Sequence, residues 1–139
     1  MSNVWWVNQS TRKGSPQNKI IWAPHKNKGN KNVPHWDSLL EANVGDTVFH
    51  YTNGYIVGMS KVIEKAEDSI NPYSGNEQWD KYGKKLPIEF VKPIHKAQIP
   101  LNIRIQDKSV FDKNGNVKQG YFFLIGTELD RKLKSLMSI

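Results

Sequence analysis

A two-residue turn signal, Asn53-Gly54, restricts this chain more than any other feature. It lies between two apolar and aromatic runs, Thr47 to Tyr51 and Tyr55 to Ile63. Asn and Gly tolerate the positive φ angles of a type I′ turn, whose twist matches that of two paired strands. The spacing predicts a β-hairpin at mid-chain, and the rest of the fold has to be built around it. A second Asn-Gly, at 114–115, follows Val110 and Phe111, and Tyr121 to Ile125 then reads as a further strand.

Other elements follow from periodicity. Val4 to Val7 reads as a first strand, and Lys19 to Trp22 as a second short apolar run that stops at Pro24. Leu86 to Ile94 reads as another strand, with Pro93 marking an edge, a bulge or its end. Trp36, Leu39 and Leu40 recur at helical spacing after Pro34, with Asp37 or Ser38 as caps. Glu128 to Met137 predicts a closing amphipathic helix with Leu129, Leu133 and Leu136 on one face and Thr127 as cap. Residues 25–34 read as a basic loop. Residues 65–84, with Pro72, Gly75 and Gly83, read as a long loop around Trp79 and Tyr82. With no repeat and no linker, the 139 residues predict one α+β domain, 1–139. Its curved mixed sheet, or open barrel, has about six strands flanked by short helices.

Charge then narrows the function. Twenty Lys and Arg against 13 Asp and Glu give a net +7, a field that attracts polyanions. No apolar run approaches the ~18–20 residues of a spanning helix. The absence of cysteine excludes disulfides and thiol chemistry. These features point to a cytoplasmic, soluble domain that needs no cofactor. His25, His35, His50 and His95 show no metal-type pairing. No Ser sits in a nucleophile elbow, and no Gly-rich loop ends in GK[ST]. Catalysis is the weaker expectation, and His50, within a strand, reads as a structural histidine. Basic and aromatic residues interleave twice. Arg12, Lys13, Lys26, Lys28 and Lys31 surround Trp22, while Lys84 and Lys85 follow Trp79 and Tyr82. Aromatic faces stack on bases while neighbouring cations hold the phosphate backbone. Trp5 and Trp6 lie in an apolar run and read as core; burial alone explains Trp22, Trp36 and Trp79 less well.

The segment GDTVFHYTNGYIVGMSKV, residues 45–62, resembles the central hairpin of the PUA-like superfamily, especially its EVE and YTH branches. VWWVNQS resembles the first strand of YTH domains, and IIWAPHKNKGN the stretch that carries a pocket tryptophan. WDKYGKKLPIEFVKPI and DKNGNVKQGYFFLIGTELD resemble the aromatic loop and the closing hairpin with its helix. The layout also resembles the N-terminal modules of McrB-type, modification-dependent restriction systems. That resemblance implies a base-binding cage with Trp22 as first wall, Ala23 meeting the base edge through its carbonyl, and Ser10 as a polar contact. Trp79 becomes the second wall, with Tyr82 as its substitute. Ala-Pro follows Trp22 where YTH domains commonly carry a Ser-Thr type pair, which leaves the modified base open.

Together these expectations describe a non-catalytic reader of 6-methyladenine or a 5-modified cytosine in DNA, serving restriction or defence. They leave room for a nuclease or NTPase partner domain or subunit. A PUA-like module for modified or structured RNA is the main alternative. A small nuclease using His25 or His50 and a protein-interaction module follow it.

Overall fold

The central hairpin forms as its sequence requires. In a computed structural model, β3 (Thr47–Thr52) and β4 (Tyr55–Val62) pair antiparallel. Asn53 and Gly54 between them take φ angles of 50° and 90°. The structure describes residues 2–9, 19–26, 29, 31, 33–72 and 82–137, and only the backbone of residues 35 and 92–96.

Strands from both ends of the chain extend this hairpin. β1 (Val4–Asn8) runs parallel to β3, with Trp5 opposite Val48 and Val7 opposite His50. β7 (Phe122–Ile125) pairs antiparallel with the other edge of β1. β6 (Tyr82–Ala97) lies along β4 and carries β2 (Ile20–Pro24) on its far edge. The order is β2-β6-β4-β3-β1-β7, and β5 (Glu67–Ile70) pairs with the first residues of β6. The mixed sheet curls into a half-barrel.

Strand alternation gives the sheet two apolar faces. Trp5, Val7, Val48, Val62, Ile88 and Phe122 belong to one buried cluster, in which Trp5 stacks on Phe122 at 4.8 Å. Trp6, Phe49, Met59 and Ile125 belong to the other. That second cluster is closed by Phe111 and by Leu129 and Leu133 of α3 (Thr127–Leu136). Leu136, expected on the same stripe, is half exposed at the helix end.

Three expectations need correction. The stretch read as a loop from 65 to 84 contains β5, and β6 begins at Tyr82. The EDSI sequence of β5 has no apolar alternation, so only its pairing with β6 makes it a strand. The first helix is split into α1 (Pro34–Asp37) and a 3-10 turn, Ser38–Glu41; Val33 precedes α1, and no side chain caps either piece. Gly126, not Thr127, is the cap of α3, again without a side-chain bond. Of the three readings of Pro93, the bulge holds: β6 continues to Ala97. It passes through the proline with a register shift beside Gly58, where a residue lacking an N–H can be accommodated. A short α2 (Leu101–Arg104) lies in a stretch that carried no sequence signal. No described helix is long and apolar enough to cross a membrane.

Candidate nucleic-acid interface

β2 and the start of β6 bring several of the expected site residues together. Trp22 lies opposite Lys85, Ala23 opposite Lys84, and Pro24 opposite Gly83. Trp22 and Ala23 are both fully buried, so the indole belongs to the core, although its polar sequence surroundings suggested otherwise. A β-carbon at residue 83 would overlap the Trp22 ring and the Ala23 carbonyl oxygen. The indole therefore rests on bare backbone, and only glycine allows that approach. Tyr82, one residue away, is 61% exposed, and its carbonyl accepts from the His25 N–H at 3.2 Å.

The basic residues divide into different roles. Lys84, expected at the surface against phosphate, is only 1% exposed. Its Nζ donates to the Pro24 carbonyl at 3.3 Å and to Asp37 Oδ1 at 3.1 Å. Burying an ammonium requires such partners, and Lys84 is thus a pin between the end of β2 and α1 instead of a phosphate contact. Lys85 meets Glu67 at 3.2 Å. Lys26 and Lys31 are exposed, in the segment that leaves β2 just after Trp22. Ser10, Arg12, Lys13, Lys28 and Trp79 lie outside the described residues. His25 meets Asp68 at 2.9 Å on the surface.

Sequence reading missed a buried polar relay on the first sheet face. His50 is fully buried. Its Nδ1 lies 2.7 Å from Gln9 Oε1, and its Nε2 lies 2.7 Å from Ser60 Oγ. An amide oxygen only accepts, so Nδ1 carries the proton and Nε2 accepts from the Ser60 hydroxyl. Phe90 covers the imidazole at 4.8 Å. Gly58 allows this, because a β-carbon there would stand 3.2 Å from the Phe90 ring. Gln9 follows β1, His50 lies within β3 and Ser60 within β4, and nothing local in the sequence links all three.

Burial holds His50 neutral and pushes its pKa from the ordinary 6.5 down to about 3. Between those values the unfolded chain binds a proton that the folded one refuses, so stability falls as pH falls. Each unit below 6.5 removes about 1.4 kcal/mol. Unfolding in denaturant should show about 1 kcal/mol lost between pH 7 and 5.5 that a His50→Asn variant does not lose. Equal losses in both proteins would contradict the buried neutral histidine.

The strand order, the curled sheet and the short helices make this a PUA-like α+β fold. Solved structures share it along nearly the whole chain. A hypothetical protein from Leishmania major superposes with a TM-score of 0.67 at 14% identity, covering 99% of this chain and 96% of its own. Human THYN1, in complex with 5-methylcytosine-containing DNA, gives 0.62 at 14% identity, with 99% of each chain covered. The Pho92 YTH domain, in complex with m6A, gives 0.55 at 16% identity, covering 99% of this chain and 87% of its own. No protein-family model matches the sequence, and no curated protein matches it significantly.

Proposed function

We propose that this chain is a non-catalytic reader of a modified base, 6-methyladenine or a 5-modified cytosine, in DNA. One observation carries the reading. On a fold shared with proteins held in complex with 5-methylcytosine DNA and with m6A, a tryptophan is set on bare glycine backbone where a basic segment begins. Trp22 is the first wall of the pocket, and Ala23 meets the base edge. Tyr82 and Trp79 supply the opposite wall, and Lys26 and Lys31, with Arg12, Lys13 and Lys28, hold the flanking phosphates.

The mechanism follows from burial. Trp22 is closed off, so an entering base has to displace what covers it. Flipping the base from a duplex costs a few kcal/mol, and stacking returns roughly 1–3 kcal/mol per aromatic contact. One extra methyl group in an apolar slot discriminates by about 10–200-fold. A small nuclease is the less favoured reading. His50 has both ring nitrogens engaged and stays neutral, so it is poorly placed to act as a base. As part of a restriction or defence system, the reader would signal to a nuclease or NTPase domain or subunit.

Matched DNA and RNA oligonucleotides carrying the same modified base test the partner class. Tighter binding of the modified DNA is the expected result. Tighter binding of the modified RNA would transfer the reading to a PUA-like RNA module. Equal affinity for modified and plain probes of both kinds would overturn it.

A further inference from the structure

We propose that Gln9 presents its amide N–H pair to a hydrogen-bond acceptor on the edge of the bound base, held in place by His50 and Ser60. This rests on the modified-base reading above. Gln9 follows the last residue of β1 and is 5% exposed. Its backbone N–H still pairs with the Tyr51 carbonyl at 2.8 Å, so the residue is fixed to the sheet. Its oxygen is taken by His50. Its Nε2 is buried, and among the described residues it has no hydrogen-bond partner.

A buried amide with one half satisfied and the other unsatisfied costs stability, and such groups call for an explanation. Two facts give this one a direction. The imidazole cannot turn without breaking its bond to Ser60, and Phe90 packs on its face. Gln9 Oε1 faces His50 Nδ1, so the amide nitrogen points away from the imidazole. Gln9 also shares its sheet face with Val7, which belongs to the same buried cluster as Trp22, against which Phe90 packs. The relay therefore offers two donors on the tryptophan's side of the sheet, where β1 ends. The matching chemistry is an acceptor, either a carbonyl oxygen or an unprotonated ring nitrogen of a nucleobase. Gln9 is a specificity-determining residue in this scheme, and His50 and Ser60 are positioning residues.

The test uses the full chain labelled with 15N and short DNA carrying plain cytosine, 5-methylcytosine, adenine or 6-methyladenine. The His50 ring nitrogens should report the Nδ1–H tautomer, and the Gln9 side-chain NH2 signals should shift when the preferred modified base binds. Gln9→Met, which keeps the volume and removes both donors, should stay folded and lose about tenfold in affinity for that base. Ser60→Ala should lose less, because the amide remains but is no longer locked. An Nε2–H tautomer would mean that the amide presents its oxygen, and would overturn the proposal. So would a folded Gln9→Met that keeps wild-type affinity, or static Gln9 signals, while the wild type prefers a modified base. That outcome sinks the role of Gln9 alone, whereas a wild type without any modification preference sinks the reader reading and this proposal with it.

Discussion

Gly83→Ala is expected to lower the unfolding free energy by about 3 kcal/mol or more, a large cost for one methyl group. The added carbon would overlap the Ala23 carbonyl oxygen and two atoms of the Trp22 indole, Cε2 among them at 2.8 Å. The backbone has nowhere to retreat, because β6 is paired here on both edges, with Pro24 of β2 and Ser69 of β5. The tryptophan would have to leave its position, so the same change should also remove any base preference that Trp22 supplies. Gly126 is the control. A β-carbon there meets nothing within 4 Å, and Gly126→Ala should cost no more than about 1 kcal/mol, the loss of a tolerated N-cap residue. Urea unfolding of the three proteins decides the matter, and a Gly83→Ala midpoint equal to wild type would contradict this packing.

Asp46→Ala should cost at least about 3 kcal/mol, for a different reason. Asp46, the residue before β3, is almost fully buried. Its Oδ1 accepts from the Asn3 N–H at 3.0 Å, and its Oδ2 accepts from Trp5 Nε1 and the Asn43 N–H, both at 2.9 Å. One carboxylate thus ties the entry of β1, a core tryptophan and the turn before β3 together. Truncation leaves three donors without an acceptor, and the indole N–H among them is buried. Asp46→Asn should recover only part of the loss, since its NH2 would face donors. Thermal or denaturant unfolding reads the effect, and an Asp46→Ala protein as stable as wild type would show that these bonds are dispensable.

Legibility in the sequence tracked the range of the forces involved. The hairpin was readable because Asn53 and Gly54 carry their turn geometry locally. The closing helix was readable because Leu129 and Leu133 repeat every turn. Pairing partners were not readable, since the parallel contact of β1 with β3 joins residues some forty positions apart. β5 was missed for a related reason: its polar residues take strand form only because β6 lies beside them. At the site, Trp22 was singled out by family resemblance and by its basic neighbours, yet its depth in the core and its seat on Gly83 are tertiary facts. Lys84 looked like one more solvated cation in a Lys-rich run, and only folding brings Asp37 and the Pro24 carbonyl to it. The Gln9–His50–Ser60 relay left no local trace, because β3, β4 and the residue after β1 each contribute one member.

The most direct test of the modified-base reading is the affinity of the wild-type chain for short DNA duplexes at two salt concentrations. The duplexes are unmodified, 6-methyladenine-bearing or 5-methylcytosine-bearing. One modified duplex should bind about 10–200-fold tighter than the plain one. Raising the salt should weaken all three while leaving that ratio in place, because phosphate contacts are screened and a stacked base is not. Equal binding to all three duplexes, lost together at the higher salt, would contradict the account and leave only a basic surface.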